Sequence, residues 1–205
     1  MSTSFSPESG PREVFQAFLL LLVPLALAVP LCVYGALSES TAMYVIYAVY
    51  IVGAIAVTKC NGRGLKEIGL SREGLGSSVL MALAVVAGAL VGRLVSGVHL
   101  AAGLTATVIA REAALNLALS GPGQEILFRG LLFFALWRWR GARAALAVSS
   151  VLFGAVHLRL GAAYMLRTAV IGAVYGYAVY RTRNVVGPML AHGVYNFVLG
   201  FLLTS

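Results

Sequence analysis

The run Gln124-Glu125-Ile126-Leu127-Phe128-Arg129 places a carboxylate and a guanidinium four residues apart in a stretch otherwise made of side chains suited to lipid. Ionised groups are costly at such depth, and that cost marks them as candidates for function. At this spacing Glu125 and Arg129 share a helix face, where each neutralises the other. Two further pairs lie in similarly apolar surroundings, Phe153 with His157 and His192 with Asn196, each again four residues apart. Hydrolysis of an amide inside a bilayer requires a pocket that admits water, a base to deprotonate it and donors for the developing oxyanion. These three stretches hold the residue types for that task. Taken singly, each has an ordinary structural reading: an intramembrane histidine is commonly an interhelical hydrogen-bonding group, and Asn196 alone is a helix clamp. Their combination is what points to chemistry.

The elements that must position these residues are membrane helices. With 60% hydrophobic residues, only 11% charged and a mean hydropathy of +0.91, the chain does not describe a water-soluble domain. Apolar runs fall at about Val14–Leu37, Ala42–Thr58, Ser77–Val98, Leu100–Leu119, Ile126–Trp139, Ala142–Leu158, Ala162–Tyr180 and Pro188–Leu203. At about 20 residues per span, 205 residues allow roughly seven or eight helices with short loops. The expected architecture is an all-α polytopic transmembrane bundle enclosing a polar intramembrane cavity. It forms a single membrane domain over 1–205, with N-terminal helices in 1–120 and a motif-bearing core in 121–205. The first run carries Pro24 and Pro30, which predict a kink, and it reads as a retained span rather than a cleaved signal. The polar connection from Lys59 to Ser78 reads as a loop with one short interfacial helix. Trp137 and Trp139, flanked by Arg138 and Arg140, read as an interfacial anchor. Gly172 and Gly176 suggest close helix packing.

The net charge of +8 does not indicate nucleic acid, because the basic residues are scattered over loop ends rather than gathered on an aromatic-bearing face. Membrane orientation accounts for them better. Arg12, the Lys59–Arg72 loop, the Arg138/Arg140/Arg143 cluster and Arg181/Arg183 would all be cytoplasmic, with the N-terminus inside, if Leu100–Leu119 makes no complete crossing of its own. Arg111 and Glu112 within that run favour a tilted or buried element; being adjacent, they diverge by about 100° on a helix and are poorly placed as an isolated pair. Cys32 and Cys60 show no pairing logic. Glu125, His157 and His192 are ligand types that zinc accepts, but no His-Glu-x-x-His helix is present, and no cofactor is expected.

Together the three motifs resemble the CPBP family of intramembrane proteases, whose pattern is Glu-Glu-x-x-x-Arg, then Phe-x-x-x-His, then His-x-x-x-Asn or Asp. The resemblance covers roughly Gly121 to Phe201. It implies a glutamate-dependent, metal-free endopeptidase in which the first glutamate activates water, the first histidine helps to position that water, and the last histidine with its Asn partner holds the oxyanion. By resemblance those roles fall on Gln124, His157, His192 and Asn196, with Glu125 and Arg129 as structural orienters and Phe128 and Phe153 walling the pocket. The implied partners are the lipid bilayer and a membrane-associated protein or peptide substrate, which in the family ranges from prenylated CAAX tails to bacteriocin precursors and sorting segments. The compact length looks bacterial, implying residence in the inner membrane.

One position departs from the pattern. Glutamine cannot take a proton from water near neutral pH, so the chain as written is expected to be inactive or strongly impaired. Three readings compete: a Glu→Gln replacement that silences an otherwise intact site, a natural pseudoprotease that binds a peptide or lipid as an immunity or scaffold factor, and transfer of the base role to Glu125. The last requires the Pro122-Gly123 step to break and rotate the helix, because Glu125 is turned by about 100° from Gln124. A transporter would predict inverted repeats, and none is evident. With simple up-and-down spans the three motifs converge only near mid-depth, which requires either that the Glu125 helix start earlier, around Glu112, or that broken helices line a water-filled cavity. A distance above about 12 Å from His192 to both Gln124 and His157 would exclude a common site, since one bridging water spans far less.

Overall fold

A computed structural model describes residues 9–204 and shows an all-helical bundle. Three long apolar helices open it: α1 (Ser9–Val33), α2 (Glu39–Cys60) and α3 (Leu75–Val95). α1 continues through both Pro24 and Pro30. A 3₁₀ turn, Leu65–Ile68, supplies the short helix expected in the polar connection, and its Ile68 is fully buried.

The main departure from expectation lies in the next stretch. Two apolar runs separated by Gly121-Pro122-Gly123 suggest two elements, but residues 106–140 form one uninterrupted right-handed rod: α4 (Ala106–Leu115), α5 (Gly121–Glu125) and α6 (Phe133–Arg140), joined by wide π-helical turns at Asn116–Ser120 and Ile126–Leu132. The wide turn just before Pro122 makes room for a ring that would otherwise meet the carbonyl four residues back. No break rotates Glu125 toward the position of Gln124. The motif therefore sits at mid-rod, as convergence of the three motifs requires.

The remaining helices are α7 (Ala142–Ala155), α8 (Ala162–Thr182) and α9 (Val186–Val194), the last prolonged by a π-helical segment, Tyr195–Leu202. A two-residue antiparallel pairing, His99–Leu100 with Leu203–Thr204, ties the chain end to the loop after α3. Counted as rods, the described residues form seven helical elements. Four helices (Gly10–Val33, Glu39–Cys60, Leu75–Val95 and Ala162–Thr182) are long and apolar enough to cross a membrane, and Val186–Leu202 is a shorter apolar helix.

The rod 106–140 is the axis of the bundle, and every residue from Gly123 to Leu136 is buried. Its glycines set how closely the neighbours approach. A Cβ on Gly121 would lie 2.6 Å from the backbone N of Gly193 and the carbonyl O of Met189, and one on Gly123 would lie 2.8 Å from the carbonyl O of Tyr47. The crossings of α5 with α9 and α2 are thus backbone-to-backbone. Gly121→Ala is expected to lower stability by about 1–3 kcal/mol through overpacking, read as a reduced unfolding temperature in detergent.

One end of the bundle is laced by charge. Buried Glu13 accepts hydrogen bonds from Arg63 Nε at 2.5 Å and from Arg138, while Arg138 Nη1 donates to the carbonyl of Glu67 at 3.2 Å. At the same end Asn184 Nδ2 donates to the carbonyls of Ser71 (2.7 Å) and Glu73 (3.0 Å). Half-buried Trp137 packs between Phe133, Phe134 and Tyr180 under the Arg183 guanidinium, which lies 3.5 Å from its ring centre. Trp139 is the exposed one of the two, with Arg140 over it. Arg111 and Glu112 do pair, at 2.9 Å, because both side chains are long enough to fold toward each other; Arg111 is exposed, while Glu112 is largely covered and faces the cavity described below.

Candidate active site

The site begins with what surrounds position 124. Gln124 and Ser120 are one turn apart on the rod, and the Gln124 amide donates to Ser120 Oγ at 3.4 Å. From the last helix, Asn196 Nδ2 donates to the same oxygen at 3.1 Å. Ser120 thus joins two motif residues whose own spacing gives no hint of contact. Asn196 reaches Ser120 although its four-residue offset had suggested partnership with His192.

Glu125 points elsewhere. It is fully buried, with Oε1 accepting from Arg129 Nη1 at 3.1 Å and from His192 Nδ1 at 2.8 Å. The Arg129 guanidinium carbon lies 4.0 Å from the centre of the Phe153 ring and 6.0 Å from that of Tyr175. A Cβ on Gly172 would fall 2.8 Å from Arg129 Nη2, so α8 makes room for the guanidinium by omitting a side chain. Glu125 Oε2 and Arg129 Nε and Nη2 have no hydrogen-bond partner among the described residues. The aromatic faces take up part of that burden for the cation.

His157 caps the end of α7. Its Nδ1 lies 2.7 Å from the carbonyl O of Phe153. A carbonyl only accepts, so Nδ1 carries the proton and Nε2 of the neutral ring is an acceptor. Phe153 stands between the two imidazoles, its ring centre 5.1 Å from that of His157 and 5.7 Å from that of His192. The two histidines therefore lie within the 12 Å limit. Glu125 accepts from His192 Nδ1 and so fixes which nitrogen is held from behind, leaving Nε2 outside that hydrogen bond.

A cavity of about 1000 Å³ gathers these groups. Gln124, His157, His192 and Asn196 line it together, with Phe128 and Phe153 in its wall. Glu125 and Arg129 do not line it; they lie behind His192 as its support. Tyr47, Asn116, Tyr164 and Tyr175 also face the cavity and were not singled out from the sequence. Its rim holds an exposed bidentate pair, Arg159 to Glu39 at 3.0 and 2.8 Å. The hydrogen bonds it donates to Glu39, and then the charge of that carboxylate, hold the Arg159 guanidinium above its usual range. Among the described residues, no group of three or more His, Cys, Asp or Glu side chains is arranged to hold a metal ion.

Comparison with known families agrees with the motifs. Residues 106–198 match the family described as type II CAAX prenyl endopeptidase Rce1-like. The matched segment, a little under half of the chain, is similar to that family and contains all three motifs. The match bears out the resemblance to the CPBP and CAAX proteases and begins at α4, upstream of the segment where the motifs alone carried it. No curated protein and no solved structure gave a match. With its apolar helices and this similarity to a membrane family, the chain is an integral membrane protein.

Proposed function

We propose that this chain is an intramembrane endopeptidase of the glutamic type whose base has been replaced by an amide. The observation that carries this reading is that Gln124, His157, His192 and Asn196 line one cavity while Glu125 and Arg129 neutralise each other behind it. In this account a glutamate at 124 takes the proton from a water held by His157 Nε2, and the hydroxide attacks the scissile carbonyl. The Asn196 amide donates to the oxyanion, His192 donates to it from Nε2 in its doubly protonated form, and the glutamate returns its proton to the leaving amine. No metal is assigned a role. Glu125 is a poor substitute base, because one oxygen serves both Arg129 and His192 and the side chain has no exposure to the cavity. The basic loops argue for a cytoplasmic N-terminus in a bacterial inner membrane.

Ser120 is the positioning residue of this scheme. With glutamate at 124 its hydroxyl donates to the carboxylate while still accepting from Asn196, aligning base and oxyanion donor. In the Gln124→Glu protein, Ser120→Ala is expected to lower kcat about tenfold, the worth of one charge-assisted hydrogen bond, with KM little changed. Ser120→Thr is expected to recover part of the loss. An assay on a membrane-anchored reporter with a quantified C-terminal fragment tests both this and the function itself, since no fragment from any form would remove the proteolytic reading.

A further inference from the structure

We infer that the cavity opens on the extracytoplasmic side, and that its substrate is the extracytoplasmic end of a membrane-anchored polypeptide rather than a cytoplasmic tail. The term substrate rests on the proteolytic reading above; the side of access does not.

The two ends of the bundle differ in charge and in openness. At one end lie the start of α1, the α2–α3 connection, the α6–α7 turn and the α8–α9 turn. They are stitched together by Glu13 with Arg63 and Arg138, by Asn184 with Ser71 and Glu73, and by Arg183 over Trp137. These four connections carry most of the chain's basic residues, so the positive-inside rule places this end in the cytoplasm. It is also closed. Below Gln124 the rod is buried without interruption to Leu136, packed against Ile68, Phe153 and α1, and the Glu13 cluster seals the base. None of the residues that line the cavity belongs to these four connections.

The mouth is at the other end. Cys32 and Val33 at the end of α1, Glu39 at the start of α2, Leu160 after α7 and Phe201 near the chain end all line the cavity. The Arg159–Glu39 pair bridges α2 and the α7–α8 turn there. Along one wall α1 contributes Leu25, Ala28 and Val29, a strip that suits an apolar segment entering from the bilayer, while Gln124 and the histidines form a polar floor. This arrangement fits a polypeptide leaving the membrane on the outer side, its apolar part along α1 and its first polar residues at the motifs.

The chain carries its own probes: Cys32 lines the mouth and Cys60 is exposed at the basic end. Cys60→Ala, Cys32→Ala, and Leu160→Cys in the doubly substituted background give three single-cysteine proteins, to be treated in spheroplasts with a membrane-impermeant maleimide. Labelling of Cys32 and of the introduced cysteine to the level seen after permeabilisation, with Cys60 protected until then, is expected. Labelling of Cys60 from outside, or protection of the cysteine at 160, overturns the orientation. Two reporters for the Gln124→Glu protein, carrying the same scissile segment outside or inside a single span, then read the substrate class. Cleavage of the outer one alone is expected, and cleavage of the inner one overturns the inference. Cleavage of neither, with the expected labelling, removes the proteolytic reading and leaves the side of access standing.

Discussion

Gln124→Glu is expected to raise the rate of reporter cleavage roughly 10²–10⁴-fold, the usual contribution of a positioned general base. The magnitude follows from how little else has to change. Gln124 already lines the cavity, hydrogen-bonded to Ser120, and glutamate is nearly isosteric with it. The amide cannot accept water's proton, but the carboxylate can, and the surrounding groups are of the kind that would use it. Adding His192→Ala to the Gln124→Glu protein is expected to return the rate by about 10²–10³-fold, the loss typical of one oxyanion donor. A rate unchanged by Gln124→Glu would mean that position 124 is not where the base belongs.

The second large effect is on stability. Removing one partner of a buried ion pair costs about 3–5 kcal/mol, because the other charge is left without compensation. Arg129→Ala would strand the fully buried Glu125 carboxylate with only His192 beside it and empty the space against Phe153 and Gly172. The expected result is a sharply lowered midpoint in denaturant titration of the detergent-solubilised protein, with reduced yield. The double variant Glu125→Gln/Arg129→Met, which removes both charges, is expected to recover much of that loss while the active Gln124→Glu form loses rate through a misdirected His192. If Arg129→Ala unfolds no more easily than the parent protein, the pair is not the support of His192 that its burial indicates.

Much of the site was legible in the sequence because helical spacing converts directly into faces. Glu125 with Arg129 and Phe153 with His157 make the contacts that a four-residue offset predicts. The mid-rod position of the motif followed from the need for three helices to converge at one depth. What escaped depended on backbone detail or on partners distant in sequence. Gly121-Pro122-Gly123 reads as a break, yet a π-helical turn before the proline carries the rod through. Ser120 sits at the same offset from Gln124 that was used for the other pairs, but a serine in an apolar helix gives no signal until Asn196, seventy-six residues later, is seen to share it. The arginine neighbours of Trp137 gave no sign of its aromatic partners Phe133, Phe134 and Tyr180, against which it packs half-buried.

The most direct test of the central claim is cleavage in ¹⁸O-labelled water. Membranes containing a membrane-anchored reporter and either the chain with Gln124, its Gln124→Glu form, or Gln124→Glu/His192→Ala would be incubated, and the new C-termini read by mass spectrometry. The base-ablated protease predicts fragments bearing one ¹⁸O at the new carboxyl group from the Gln124→Glu form alone. Equal labelled fragments from the Gln124 chain would contradict the account by showing that another group supplies the base, and labelled fragments from no form would indicate a binding protein built on a protease scaffold.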